Sequence, residues 1–267
     1  MTKTILITGA TDGIGRETAK SLAALGHTIL LHGRNAAKLA TVEQELTTGS
    51  GQVGSFVADL SNMAEVLALA KAVAAQNPKL DVLINNAGVF KTTNPITPDG
   101  LDVRFVVNAI APYLLTQKLM PLLNPSSRVV NVSSAAQSPV NLKALAGRVK
   151  IAQDFSAYAQ SKLALTMWSR VLALKPNNPV IVAVNPGSML GSKMVKQAFG
   201  VPGGDLRIGA DILTRAVLAD DFATASGKYF DNDSGQFAPP HGDALDAQKC
   251  EAVVSTIESI FRGSRDD

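Results

Sequence analysis

The chain has 267 residues, 46% hydrophobic and only 18% charged, a composition that supports a large buried core and excludes a disordered chain. The net charge is 25 − 22 = +3, lysines and arginines are scattered and aromatics make up only 5%, so no nucleic-acid surface is implied. One cysteine, Cys250, excludes an internal disulfide and a multi-cysteine metal site, and no run approaches the roughly 18 apolar residues of a membrane span; with no signal segment visible, a reducing, cytoplasmic location is expected.

In chain order, the first strand is TILIT (4–8), and it runs into Thr8-Gly9-Ala10-Thr11-Asp12-Gly13-Ile14-Gly15 ahead of a helix expected over 14–25. Glycines between a first strand and a first helix let the backbone approach a pyrophosphate, whose charge then meets the free N–H groups of the helix. Gly9, Thr11, Asp12, Gly13, Ile14 and Gly15 are therefore candidate cofactor contacts. The second strand (28–32) ends in His32-Gly33-Arg34-Asn35. An acidic residue at this point would bind the ribose 2′-hydroxyl of NAD; none is present, and Arg34 is placed to fork onto a 2′-phosphate, with Asn35 beside it. That points to NADP(H).

A third strand is expected over 53–59 and a helix over 63–76, which stops before Asn77-Pro78. A fourth strand (80–86), a long helix (101–119) and a fifth strand (128–133) follow, the last ending at Ser133-Ser134. A second long helix (156–174) carries Tyr158 and Lys162 four positions apart, hence on one face. The sixth strand (180–185), a helix (206–219), the seventh strand (227–231) and a last helix (243–262) complete the pattern. Most strands are apolar on both faces, so helices cover both sides: an α/β, doubly wound parallel sheet of seven strands in a single domain over 1–267. Residues 135–155, 188–205 and 232–242 follow strand ends and are expected to be substrate-side insertions. His27, His32 and His241 are too dispersed for a metal site. Cys250 and Trp168 are expected to pack in the interior, and Phe155 to pack there in preference to touching substrate.

A phenol titrates near 10, and lowering it to about 7 takes roughly 4 kcal/mol, which a neighbouring ammonium and a positive cofactor ring can supply in a dry site. With Ser134 at a strand end on the ligand side, able to donate to a carbonyl, the pattern becomes specific. TGATDGIG (8–15), Asp59-Leu60, Asn85-Asn86-Ala87-Gly88, Asn108, VVNVSS ending at Ser134, Tyr158-xxx-Lys162 and Asn185-Pro186-Gly187 occur in the order of the short-chain dehydrogenase/reductase family, which the chain resembles over positions 8–187. HGRN after the second strand and SAYAQSKLAL around Tyr158 resemble its retinol-dehydrogenase-like branch, although the insertion before Tyr158 lacks that branch's acidic stretch, so retinoid specificity is not carried over.

The resemblance implies a Rossmann-type fold and roles for particular residues. Ser134 would polarise a substrate carbonyl, Tyr158 would pass the proton, Lys162 would hold the nicotinamide ribose and lower the phenol's pKa, and Asn108 would anchor a relay water. Asp59 and Leu60 would contact the adenine, Asn86, Ala87 and Gly88 would line the adenosine side, and Pro186, Gly187 and Ser188 would pack on the nicotinamide. The family's threonine after the Pro-Gly pair is replaced by Gly191 or Ser192, leaving Ser188 as the expected carboxamide contact. The implied activity is NADP(H)-dependent interconversion of a carbonyl and an alcohol on a small, lipophilic molecule. A non-enzymatic NADP(H)-binding sensor is the alternative, and it would not require the four-residue relay. The apolar faces of 101–119 and 156–174 are a candidate homo-oligomer interface.

Overall fold

The computed structural model describes residues 1–47 and 51–263. Strand β1 (Thr4–Ile7) leads into helix α1 (Gly13–Ala24), which Asp12 caps by accepting the Gly13 N–H. Next come β2 (Thr28–Gly33), α2 (Ala36–Leu46), β3 (Val53–Val57), α3 (Met63–Gln76) and β4 (Val82–Asn85). Helix α4 (Val103–Phe105), a π-turn over Val106–Ile110 and α5 (Ala111–Leu119) form one interrupted rod, which precedes β5 (Arg128–Val132). Then follow α6 (Leu142–Leu145), α7 (Asp154–Ala173), β6 (Val180–Asn185), α8 (Lys193–Phe199), α9 (Leu206–Leu218), β7 (Tyr229–Asp231), β8 (Gln236–Ala238) and α10 (Ala247–Gly263).

The sheet order is β3-β2-β1-β4-β5-β6-β7-β8, parallel throughout except for β8, which pairs antiparallel with β7. The seven expected parallel strands are all present, and the eighth lies inside 232–242, where a substrate-side loop is expected after the seventh strand. Side chains alternate across the sheet with the two-residue strand period. Leu6, Leu83, Val129 and Ile181 enter the core beneath α3, α5, α7 and α10, while Ile5, Ile7, Val82, Ile84, Val130 and Val182 enter the core beneath α1, α2 and α9. The chain reverses direction across the sheet between β1 and β4. A crevice therefore opens at their carboxyl ends, which is where open α/β sheets take ligands.

Several elements depart from expectation. Helix α2 is not among the predicted helices, yet Asn35 caps it by accepting the Lys38 N–H, and Leu39, Val42 and Leu46 form its buried stripe. The expected loop 188–205 contains α8, capped by Ser192 and closed by left-handed Gly200. Residues 135–155 contain the short α6 and the first two residues of α7. Of the faces expected at a subunit interface, part is covered within the chain by α10. Cys250, Val253, Val254 and Ile257 share one core with Leu163, Met167 and Val171, and the Tyr113 hydroxyl donates to Glu258 at 2.8 Å. That part of the apolar surface on α5 and α7 is thus spent internally. Trp168 is fully buried there, its ring edge-on to Tyr113 at 5.6 Å. Cys250 is also buried, which pushes its thiol up to about 11. No helix among the described residues is long and apolar enough to cross a membrane.

Candidate active site

A cleft of about 690 Å³ runs along the carboxyl edge of the sheet, from Arg34, Asn35 and Asp59 at one end to Phe155 and Phe199 at the other. At its centre β1 turns over β4. Gly9 has φ +66°, and a Cβ there would lie 2.9 Å from Ala87 Cα. At Gly15 a Cβ would lie 2.3 Å from Asn86 Nδ2 and 2.5 Å from the Gly9 carbonyl oxygen, so α1 starts as close to the sheet as backbone permits. The Asn86 side chain ties this turn down, donating to the carbonyls of Thr8 (2.9 Å) and Gly9 (3.1 Å), while the Thr8 hydroxyl accepts the N–H groups of Asn86 and Ala87. Asn86 is therefore a clamp on the glycine turn as well as a lining residue. Its neighbour Asn85 points into the core, donating to Thr116 and Asn131.

His32 is a further part of this support, and its position at the end of a buried strand, as the first residue of HGRN, is the available signal. It is buried, and burial lowers its pKa, so the ring is neutral. Its Nδ1 accepts the Gly9 N–H at 3.3 Å and its Nε2 lies 3.0 Å from the Ala58 carbonyl, an arrangement satisfied by the tautomer protonated on Nε2.

The other expected cofactor contacts line the same cleft, although several are also bound to protein. Arg34 is exposed at its rim, one helical turn from exposed Lys38. Asn35 is occupied as the α2 cap. Asp12 caps α1 and forms an ion pair with Lys193 at 2.5 Å, an α8 residue absent from the expected set. Asp59 accepts the N–H and hydroxyl of Ser61, and buried Leu60 lies beside it. Thr11, Ile14, Ala87, Gly88, Pro186 and Gly187 line the cleft. Ser188 also lines it, but its N–H (2.7 Å) and hydroxyl (2.5 Å) both donate to Asp233, which accepts from Asn185 as well. Asp233 comes from the β7–β8 turn, and no local sequence pattern connects it with the end of β6.

At the chemical end, β5, the π-turn and α7 converge. Ser133 and Ser134 part company at the end of β5: Ser133 turns inward to Thr166 at 2.7 Å, whereas Ser134 faces the cleft. The Ser134 oxygen accepts the Ala136 N–H at 3.1 Å, and Ser134 lines the cleft together with Tyr158. The Ser134 carbonyl is fixed by Gln137 (2.9 Å) and by the Tyr229 hydroxyl (3.1 Å). Lys162 is buried, donates to the Val132 carbonyl at 2.7 Å and lies 5.7 Å from the centre of the Tyr158 ring. Asn108 sits in the π-turn, where its amide spans Val89 on both sides and donates to Ser161 at 2.9 Å; Ser161 in turn donates to the Tyr158 carbonyl at 2.7 Å. Asn108, Ser134, Tyr158 and Lys162 are thus brought to one place, with Gly88 between them: a Cβ on it would be 3.5 Å from Asn108 Oδ1 and 3.6 Å from Lys162 Nζ.

The electrostatics differ from expectation in one respect. Burial raises the Tyr158 pKa, with the Ser134 hydrogen bond opposing it, so in the protein alone the phenol keeps its proton. Burial draws Lys162 down to about 8, and its ammonium donates to the Val132 carbonyl. Phe155 is a second correction. It is 53% exposed rather than buried, and lines the cleft in a group in which Phe90 stacks at 5.0 Å on Tyr158, 5.7 Å on Phe199 and 6.3 Å on Phe155.

A family model described as short chain dehydrogenase matches residues 3–200. The chain belongs to the short-chain dehydrogenase family. Among its relatives, retinol dehydrogenase 12 of Mus musculus is 34% identical over 245 residues, covering 85% of this chain and 77% of that one. Human retinol dehydrogenase 13 is 30% identical over 251 residues, covering 86% and 76%. Among solved structures, an uncharacterised protein from Mycobacterium paratuberculosis superposes with a TM-score of 0.79 at 28% identity, covering 97% of this chain and 93% of that one. A short-chain dehydrogenase from Escherichia coli CFT073, complexed with NADPH, gives 0.70 at 30% identity, covering 86% and 96%. In this short-chain dehydrogenase Ser134, Tyr158 and Lys162 line one cleft with the glycine turn, and buried Asn108 stands beside Gly88 at its edge.

Proposed function

We propose that the protein is an NADP(H)-dependent oxidoreductase that interconverts a ketone or aldehyde and the corresponding alcohol, acting on a lipophilic substrate and suited to reduction. The observation that carries this is that Ser134, Tyr158 and buried Lys162 line the same cleft as the glycine turn, with the Lys162 ammonium 5.7 Å from the centre of the Tyr158 ring. The residues fit a dinucleotide. The turn leaves no room for side chains at positions 9 and 15, exposed Arg34 and Lys38 flank the end of β2, and the nearby Asp12 carboxylate is already paired with Lys193. The NADPH carried by the Escherichia coli relative supports the phosphorylated form.

When bound, the nicotinamide supplies the hydride for reduction or takes it up in oxidation. Ser134 and Tyr158 would hydrogen-bond the substrate oxygen together, fixing the carbonyl carbon and polarising it. As negative charge develops on that oxygen, Tyr158 transfers its proton to give the alcohol. The raised phenol pKa ensures that the proton is present at neutral pH, which suits the acid role. The phenolate left behind is stabilised by the Ser134 hydroxyl and by the nearby Lys162 ammonium. Asn108 would place the group from which the phenol is reprotonated.

The other half of the cleft is lined mainly by Val89, Phe90, Val107, Phe155, Met194 and Phe199, with Phe90 against the Tyr158 ring. Such a wall favours apolar or aromatic carbonyl compounds. A panel of aldehydes, ketones and quinones followed by NADPH absorbance tests the reading. Turnover concentrated in the apolar members is expected, whereas turnover confined to charged, water-loving carbonyls would overturn the substrate assignment.

A further inference from the structure

Helix α7 carries Tyr158 one turn from its start, yet the residue at its N-cap, Gln153, makes no side-chain capping bond. Something else has to fix that first turn, because any rotation there moves the phenol. Asp154, in the first turn, accepts from Arg104 Nη1 at 2.5 Å. Arg104 is only 1% exposed. Its Nε and Nη2 form a fork onto the Asp102 carboxylate at 2.8 and 2.6 Å, and Nη2 also reaches the Ile151 carbonyl at 3.3 Å. Asp102 is itself fixed as the cap of α4, accepting the Arg104 N–H at 2.9 Å.

The spacing gives this cluster its meaning. Arg104 stands four residues before Asn108 and Asp154 four residues before Tyr158, so the ion pair joins the two helices one turn ahead of the place where their relay residues meet. A second rung crosses the same interface further on, from Asn108 through Ser161 to the Tyr158 carbonyl. We propose that Arg104 and Asp154 are positioning residues for the proton relay, setting the start of the Tyr158 helix against the Asn108 π-turn and anchoring the end of the 135–155 insertion to both. The proposal rests on the assignment of Tyr158 and Asn108 to that relay. A planar guanidinium with its donors divided between two carboxylates and a carbonyl holds angle as well as distance, which a lysine cannot do. Burial keeps the arrangement in one geometry, since a buried cation tolerates little loss of its partners.

The test uses the full chain with Asp154→Asn and Asp154→Glu, cinnamaldehyde as probe and two readouts. The first is the kcat for NADPH-dependent reduction set against the KM for NADPH. The second is the titration midpoint of the Tyr158 phenol, taken as the difference in phenolate absorbance between each protein and its Tyr158→Phe counterpart. A displacement of the phenol of about 1 Å predicts a fall in kcat of about 10- to 100-fold for Asp154→Asn with the KM for NADPH essentially unchanged. The same variant is expected to shift the phenol midpoint upward as the phenol moves away from Ser134 and the Lys162 ammonium, and Asp154→Glu to restore most of both. A lower melting temperature with unchanged kcat and unchanged phenol midpoint would overturn the proposal and leave the pair a structural tie. If the wild-type protein reduces no carbonyl compound, the functional reading fails, and the phenol midpoint still decides the positioning role. Should Asp154→Asn give no folded protein, Arg104→Lys, which keeps the charge without the fork, is read by the same two measures.

Discussion

Replacing Lys162 with methionine is expected to stabilise the fold at neutral pH while removing the chemistry. Lys162 is 4% exposed, and its one recorded hydrogen bond goes to the Val132 carbonyl at 2.7 Å. Burial draws it from an ordinary 10.5 to about 8, an interval of 10.5 − 8 = 2.5. At about 1.4 kcal/mol for each factor of ten, that corresponds to roughly 3 kcal/mol against the folded state. Below about 8 both the folded and unfolded chains hold the proton, and the penalty is present in full. Between about 8 and 10.5 the folded protein releases a proton that the unfolded chain keeps, so stability rises with pH and the penalty disappears. Methionine fills a similar volume without the charge but leaves the Val132 carbonyl unpaired, a loss of about 1–2 kcal/mol. Lys162→Met should therefore exceed the wild type by about 1–2 kcal/mol near pH 6.5, and by about pH 9.5 the wild type should gain about 2 kcal/mol relative to it, closing or reversing that difference. Urea unfolding at both pH values, followed by the fluorescence of buried Trp168, measures it. A difference between the two proteins that is the same at both pH values would refute the reasoning, because it would mean that Lys162 is not titrating from a buried position.

Three further outcomes are expected. Arg34→Ala should reduce the preference for NADPH over NADH by about 10- to 100-fold in kcat/KM, the value of a hydrogen bond to a charged group; an unchanged ratio removes Arg34 from cofactor recognition. Gly15→Ala places a methyl group 2.3 Å from Asn86 Nδ2 and should raise the KM for NADPH by at least about tenfold, since the glycine turn must move; a wild-type KM would show that the turn does not hold the cofactor. The two serines at the end of β5 should separate: Ser134→Ala is expected to lower kcat by about 100-fold, whereas Ser133→Ala, which loses only the bond to Thr166, costs about 1 kcal/mol of stability in an unfolding titration and leaves kcat within about threefold. Equal effects on kcat would contradict their opposite orientations.

Most of the fold was legible because parallel strands buried on both faces read as short apolar runs, and seven of them stand in the sequence in that form. What escaped was governed by local capping or by distant partners. Helix α2 has three buried residues in eleven and declares itself mainly through Asn35, whose side chain serves as its cap. Strand β8 exists because Phe237 stacks against Phe222 and Phe230, a contact that no local pattern encodes. The site followed the same division. Glycine spacing and the Tyr158–Lys162 interval are local, and the helical period gives them geometric meaning. His32 beneath Gly9, Asp233 on Ser188 and Arg104 on Asp154 join segments 23, 45 and 50 positions apart, and only the folded chain brings them together. Charge was the least legible property. The expected lowering of the phenol relied on Lys162 together with a positive cofactor ring in a dry site, whereas in the protein alone burial acts on both groups and leaves Tyr158 protonated.

The central claim is that Tyr158 passes a proton to a substrate oxygen while hydride moves between substrate and nicotinamide. Its most direct test compares NADPH consumption by the wild-type protein and Tyr158→Phe on the best carbonyl substrate of the panel, with NADPH affinity measured separately by fluorescence. Loss of about a thousandfold in kcat with NADPH affinity preserved is the predicted result. Full turnover by Tyr158→Phe would contradict the account.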